Sequence, residues 1–229
     1  MEKYAVIVAG GSGTRMGGGI PKQFRSLKGR PVLWWSMNAF HQEDPNTHLI
    51  LVLPEEFITL WEDFYSTLPK TQQYPYEVIS GGHTRGESVT KGLSLIKDED
   101  SLVAVHDGAR PLVTVTMISE GWKAAGLHGA AIPVTPVTDS IREIEGDESK
   151  AVDRSRFMSV QTPQVFHTGL LKESYAMHPE EVFTDDASVV EKSGHKVALY
   201  TGSVDNIKIT NPHDMMIAET LLSNSNQKG

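Results

Sequence analysis

The sequence predicts an α/β fold, a doubly wound and mostly parallel sheet with a projecting β-arm, on three observations. Short β-branched apolar runs closed by glycine or proline alternate with segments of helical spacing from Tyr4 to Val134. A glycine-rich stretch directly follows the first of these runs, as in open α/β sheets that bind ligands at strand ends. From Thr138 to Val160 the texture changes to polar alternation, which interrupts the winding and marks the arm.

Tyr4 to Ala9 reads as a strand buried on both faces. Pro31 opens a helix in which Val32, Leu33, Trp35, Met37 and Phe40 partly follow helical spacing, and His48 to Leu53, closed by Pro54, completes a βαβ unit. Glu55 to Tyr65 reads as helix and Glu77 to Ser80 as extended chain; Val89, Leu93 and Ile96 then share a helical face before the strand Leu102 to His106. Thr116 to Ala125 is the next helix and Ala130 to Val134 the next strand. In the arm, Ser140 to Ile144 and Ala151 to Phe157 flank the turn EGDESK. Helices follow at Gly169 to Met177 and Asp186 to Ser193, the second stopped by Gly194, then a strand at Lys196 to Tyr200 and a strand-like NIKIT from Asn206. The last helix starts at Asn211, whose side chain can accept from first-turn amides, with Pro212 at the first helical position and Asp214 favoured by the positive helix end. Residues 223–229 read as a frayed tail.

The 229 residues suit one domain, 1–229, with the arm at about 138–160 as an appendage. A formal net charge of -8 argues against a general partner among nucleic acids or anionic membranes, because both repel a net anion. The absence of cysteine removes disulfides, thiolate zinc sites and a cysteine nucleophile, and fits a reducing, cytoplasmic setting. The apolar run near the N-terminus is too short for a secretory signal, and no later run approaches membrane-spanning length. Nine histidines lack the paired short spacing of a zinc site.

The stretch AGGSGTRMGGGIPKQF carries most of the chemistry. Its glycines let backbone amides approach a ligand, and Arg15 and Lys22 add two cations, a combination suited to polyphosphate. An arbitrary pair of such cations would be solvated surface charge; among six glycines beyond a buried strand they read as phosphate ligands. The stretch is not a Walker A loop, and Met16 stands where a dinucleotide fingerprint needs its third glycine. Asp107 closes a strand at the sheet edge, where the local sequence fits equally a hard oxygen ligand for magnesium and a turn-forming residue before Gly108. His106 reads as structural.

With these residues the chain resembles the 2-C-methyl-D-erythritol 4-phosphate cytidylyltransferase family, in the loop AGGSGTRM followed by PKQF and onward through GGHTRGESV, VHDGARP, Asp139 with Ser140, VDR, QTPQVF, TDDAS and DNIKIT. The resemblance implies a Rossmann-like nucleotidyltransferase fold, CTP and methylerythritol phosphate as substrates, Mg2+ as cofactor, and a homodimer joined through the arm. It makes Arg15 and Lys22 catalytic cations that stabilise charge on the attacked α-phosphate and departing pyrophosphate. Nucleotide contacts are implied at Ala9, Gly10, Gly11, Ser12, Gly13, Gly81, Gly82, Arg85, Ser88 and Gly108; Arg85 and Ser88 read equally as a helix cap. His83 stands where family members can carry an acid. Asp107 becomes the magnesium ligand. Arg110, Ser140, Arg154, Thr162, Thr184 and Lys208 match positions that hold the polyol phosphate, with Arg154 and Thr184 reaching across the dimer. For Arg154 the local sequence alone reads as a solvated hairpin charge. An inward Lys208 needs an anionic partner, which a phosphate supplies. Ser140 replaces a common threonine and keeps the hydroxyl. HDGARP rather than HDSVRP separates the chain from the ribitol 5-phosphate cytidylyltransferases, and the joint presence of Arg15, Lys22, Asp107 and Lys208 speaks against a non-catalytic nucleotide-binding module.

Overall fold

The structure is a computed structural model that describes residues 1–10, 20–179 and 181–225. Its strands are β1 (Lys3–Val8), β2 (Ser26–Leu27), β3 (Arg30–Pro31), β4 (His48–Leu53), β5 (Tyr76–Ser80), β6 (Leu102–Asp107), β7 (Ala130–Pro136), β8 (Ile141–Glu145), β9 (Glu148–Val152), β10 (Met158–Val160), β11 (Gln164–His167) and β12 (Ala198–Thr201). Its α-helices are α1 (Val32–Glu43), α2 (Ile58–Ser66), α3 (Arg85–Ser94), α4 (Val115–His128), α5 (Thr168–Met177), α6 (Asp186–Lys192) and α7 (Pro212–Ser225). None of the described helices is long and apolar enough to cross a membrane.

The main sheet runs β10-β7-β11-β6-β1-β4-β5, with β12 parallel to β7. β1 pairs in parallel with both β4 and β6, so the chain winds outward to β5 and returns to the opposite side of its first strand. This reversal opens a crevice beyond the carboxyl ends of β1 and β6, where open α/β sheets bind ligands. The expected mostly parallel winding is therefore observed, but β10 and β11 enter antiparallel. The expectations did not include β11: QVFH is four residues long and directly follows Pro163, too short a run to declare itself by period. Alternate residues along the strands feed two cores. Ala5, Ile7, Leu49 and Leu51 meet α1, α2 and α4 through Phe40, Trp61 and Trp122, while Val6, Ile50, Val52 and Val105 meet α3, α5 and α6 through Leu93, Leu171 and Val190.

Two further expectations change in detail. NIKIT is not a strand: Ile209 is fully buried, with Ile207 packed against the same cluster, yet the segment joins no sheet, and the Ile209 N–H donates to the Ala109 carbonyl at 2.8 Å. The alternation of Ile207, Lys208 and Ile209 thus reflects a strap laid over the end of β6. The arm is a hairpin in which, among the described residues, β8 and β9 pair only with each other, and its turn is just Gly146 and Asp147, so Glu145 and Glu148 belong to the strands. Gly146 enters positive φ, 58°, which glycine does without Cβ strain. At α7 the expected cap is present: Asn211 Oδ1 accepts from the amides of His213 at 2.9 Å and Asp214 at 3.2 Å.

Candidate active site

Three turns converge at the crevice. After β1, the Ala9 N–H donates to the Val52 carbonyl, which keeps the strand end in register as it reaches Gly10. Gly11, Ser12, Gly13 and Arg15 lie outside the described residues. Lys22 stands in a short 3₁₀ turn, Lys22–Phe24, whose Gln23 is buried and donates through Nε2 to the Ala9 carbonyl. The PKQF segment is thereby tied to the first strand, and Lys22 to the crevice.

After β5, Gly81 and Gly82 leave the sheet edge. A Cβ on Gly82 would come within 2.3 Å of Glu87 Cβ, so only glycine fits beneath the first turn of α3. The cap of this helix is Thr84, whose side chain accepts from the Glu87 amide at 3.1 Å, not Arg85 or Ser88. Ser88 is buried; its hydroxyl donates to the Thr84 carbonyl at 2.9 Å and accepts from the Gly82 amide at 3.0 Å. Its oxygen, accepting from Gly82, holds the glycine turn in shape. Glu87 Oε2 accepts from the His83 amide at 2.8 Å, an interaction independent of the His83 side chain.

After β6 comes the centre of charge. The Asp107 carboxylate, with Asp107 8% exposed, receives Lys208 Nζ at 2.8 Å and Arg110 Nε at 3.5 Å on Oδ2, and Arg85 Nε at 3.7 Å on Oδ1. Burial alone would raise this carboxyl, but Lys208, Arg85 and Arg110 outweigh it and hold it well below the usual carboxylate range. Burial lowers the Arg110 guanidinium from its ordinary value, opposed by Asp107. Arg85 is steered from behind by Asp186, which is 0% exposed and accepts from Arg85 Nη2 at 2.6 Å and from the Tyr175 hydroxyl at 2.7 Å. Against the effect of burial, Asp186 raises Arg85, whereas burial and Asp186 both raise Tyr175. Gln164 fastens this layer: Oε1 accepts from the amides of Asp186 and Ala187, both at 3.0 Å, and Nε2 donates to Asp185 at 2.9 Å.

Two hollows meet at Asp107. One, of about 470 Å³, is lined by Ala9, Gly10, Lys22, Gly82, Arg85, Ser88, Asp107 and Lys208 among others. The other, of about 400 Å³, is lined by Arg85, Asp107, Arg110, Thr162, Gln164, Thr184 and Lys208 among others. The first gathers residues expected at the nucleotide and the second residues expected at the polyol phosphate; Arg85, Asp107 and Lys208 border both. Gly81 and Gly108 shape the floor through backbone bonds, the Gly81 amide to the Leu53 carbonyl at 2.7 Å and the Gly108 amide to the Val8 carbonyl at 2.9 Å. Thr184, expected to reach across a dimer, borders the hollow of its own chain. Ser140 and Arg154 border neither hollow: both are exposed, and Arg154 donates to the Thr138 carbonyl within the arm.

Sequence reasoning missed Thr84, Gln164, Asp186 and Asn206. Asn206 is buried, donates to the Thr162 carbonyl at 2.9 Å, and its own carbonyl accepts from Arg110 Nη1 at 2.8 Å. The available signal was a polar residue beside apolar neighbours inside an already conspicuous string, as in PQVF and DNIK.

No group of three or more His, Cys, Asp or Glu able to cage a metal occurs among the described residues. A single carboxylate still fits magnesium, which keeps bound water and takes further oxygens from substrate phosphates. Asp107 offers such an oxygen at the junction, and its Oδ1 is the less crowded of the pair, 3.7 Å from Arg85.

Residues 4–224 match the model of the 2-C-methyl-D-erythritol 4-phosphate cytidylyltransferase family. The chain is 44% identical over 222 residues to the enzyme of that name from Phocaeicola vulgatus, covering 97% of this chain and all of that one. It is 45% identical over 228 residues to the same-named protein of Azobacteroides pseudotrichonymphae, covering 96% and 99%. The crystal structure of the Thermus thermophilus cytidylyltransferase superposes with a TM-score of 0.76 at 33% identity, covering 95% of this chain and 98% of that one. That of 4-diphosphocytidyl-2C-methyl-D-erythritol synthase from Anaerococcus prevotii gives 0.83 at 26% identity, covering 97% and 98%. From the crevice to the arm and along its whole length, the chain belongs to the 2-C-methyl-D-erythritol 4-phosphate cytidylyltransferase family.

Proposed function

We infer that the chain transfers CMP from CTP to 2-C-methyl-D-erythritol 4-phosphate and releases pyrophosphate. The observation that carries this reading is the meeting of two hollows, one lined for a nucleotide and one for a polyol phosphate, at a single cation-ringed carboxylate. Two substrates held in adjoining hollows can be aligned for in-line attack of the polyol phosphate oxygen on the α-phosphorus of CTP. The attacking phosphate, with a second pKa near ~6, is already mostly dianionic at neutral pH, so no protein base is needed. Lys22 and Arg15 stabilise the growing charge on the non-bridging oxygens and the departing pyrophosphate. Lys208, held by Asp107, moves onto phosphate oxygens as they arrive, while Arg110 orients the polyol phosphate with its forked donors. When bound beside Asp107, magnesium neutralises charge on the triphosphate and the leaving pyrophosphate. Gly81, Gly82 and Gly108, whose amides are already bonded within the chain, take part in selecting the pyrimidine through their carbonyls and their lack of side chains.

The chain acts as a single catalytic domain and forms a homodimer through its arm. Support comes from the apolar residues that the arm and the adjoining β10 expose, Ile144, Phe157, Met158 and Val160, and from Arg154, which no contact among the described residues brings to the crevice. Arg154, with Ser140, completes the polyol phosphate site of the partner. The enzyme works in the cytoplasm, with no nucleic-acid or membrane partner, in keeping with its charge and lack of cysteine. Pyrophosphate release with CTP should appear with methylerythritol phosphate and should need a divalent cation; transfer to ribitol phosphate alone, or undiminished turnover in excess chelator, would overturn the respective parts of this reading.

A further inference from the structure

Thr162 borders the second hollow, yet its hydroxyl is already occupied. His106 is fully buried, and its Nε2 lies 3.2 Å from the Arg110 carbonyl oxygen. A carbonyl can only accept, so Nε2 carries the ring proton. The ring is fully buried, and the one carboxylate beside it, Asp107, is already met by Arg85, Arg110 and Lys208, so the ring is neutral and its Nδ1 an acceptor. Thr162 Oγ1 stands 3.0 Å from that Nδ1, and its single proton goes there. The Asp107 amide donates to the same oxygen at 3.1 Å. What remains on Thr162, 5% exposed, is a lone pair, which can meet a polyol hydroxyl but not an oxygen of a phosphate dianion.

We propose that His106 and Thr162 are paired positioning residues, which fix the Asp107 peptide and the Arg110 carbonyl, and that Thr162 acts on the substrate's phosphate through that turn rather than by donating a hydrogen bond to it. The proposal rests on the cytidylyl-transfer reading of the site. The turn is held on three sides: the Arg110 amide closes onto the Asp107 carbonyl at 2.9 Å, His106 holds the Arg110 carbonyl, and Thr162 holds the Asp107 amide. Asn206 ties the Thr162 carbonyl to the segment that carries Lys208, so the cations around Asp107 keep their spacing through one connected set of bonds. Phe40 packs edge-on against the imidazole at 5.6 Å and keeps the ring from turning over. A mispositioned turn shifts the carboxylate and guanidinium that aim the reacting phosphate, which costs turnover more than affinity.

The decisive measurement uses the unaltered enzyme. In ¹⁵N-histidine NMR at neutral pH, His106 should be a neutral ring protonated at Nε2; an Nδ1-protonated ring or an imidazolium would leave the Thr162 hydroxyl free to donate to substrate and would overturn the proposal. Kinetics separate the roles further. Thr162→Ser should keep near-normal rates, whereas Thr162→Val should lower kcat by about 10- to 100-fold with the KM for methylerythritol phosphate changed less than about threefold. A KM rise of tenfold or more at unchanged kcat would instead make substrate binding the role of the hydroxyl and would overturn the proposal. Combining Thr162→Val with His106→Phe should be little worse than the poorer single variant, because one relay is broken once; additive losses count against the pairing. The NMR result does not depend on turnover, so failure of the transfer reading and failure of this relay are distinguishable.

Discussion

The corner at the end of β6 and the hairpin β8–β9 are both rich in charge, and both coincide with strings of the family pattern, yet they are organised oppositely. In the corner Asp107 is buried under three cations, and those cations are fixed in turn by Asp186, Asn206 and the backbone of the strap. In the hairpin the charges are solvated and the bonds local: Arg142 reaches Ser149 across the strand pair at 2.8 Å, and Arg154 reaches Thr138. A charge network that is closed within one chain leaves a record of buried partners. A segment whose proposed partner is another molecule shows only a stable scaffold and exposed side chains, so its role must be tested by supplying that partner.

The comparison breaks most severely at Asp107. Asp107→Asn should lower turnover about 1000-fold, since both the proposed metal ligand and the anchor of Lys208 are lost. It should also destabilise by about 2 kcal/mol, less than for a wholly buried pair because Lys208 reaches solvent. The carboxyl is depressed in the folded state, so its contribution is present above the ordinary carboxylate pKa and lost as pH falls through its folded value. Urea denaturation at neutral pH that shows the variant equal to its parent would contradict this organisation. Lys22→Ala should follow, with kcat reduced about 100-fold or more and the KM for CTP little changed.

At the hairpin the expectation reverses. Arg154→Ala should leave stability within about 0.5 kcal/mol, because its side chain is exposed. It should nevertheless weaken use of methylerythritol phosphate far more than CTP binding. Mixing Lys22→Ala with Arg154→Ala and exchanging subunits gives about half mixed dimers, each with one intact site, so about a quarter of parental activity should return. No recovery after verified exchange would mean that Arg154 acts within its own subunit or that the two sites are obligatorily coupled, and would overturn the shared site.

The fold was legible wherever burial leaves a period. β1, β4 and β6 announced themselves because both faces are buried and the residues are β-branched, and α7 because Asn211, Pro212 and Asp214 follow helix-start chemistry. β11 was hidden by its shortness, and NIKIT misread because alternate burial does not require a strand neighbour. In the site, the resemblance named Arg85, Asp107, Arg110, Thr162 and Lys208, which the fold brings to one hollow, but sequence cannot show where a hydroxyl proton goes. Ser88 and Thr162 both matched substrate-binding positions, and in both the proton is given to the protein. Nor could it show that Asp186 would lie against Arg85, 101 positions away in the chain.

The smallest effect sharpens the comparison, because it tests whether the corner is held as far out as the strap's end. Asp214 Oδ2 accepts from the amides of Thr210 at 2.7 Å and Asn211 at 2.9 Å and from the Thr210 hydroxyl at 2.7 Å, while Asn211 caps α7 in return. This reciprocal cap closes the segment that delivers Lys208. Asp214→Ala should therefore cost about 1 kcal/mol and change kcat less than about threefold. Burial would raise the Asp214 carboxyl, but the bonds from Thr210 and Asn211 prevail and lower it from 3.8. With a depressed folded value, the stabilisation is complete above the unfolded pKa, ~3.9, and is lost as pH falls through the folded one. The stability gap between parent and variant should thus stay constant from about pH 8 to about pH 5 and narrow only below about pH 4. A gap that closes already near neutrality would show that the carboxylate bonds to Thr210 and Asn211 are not what holds the strap.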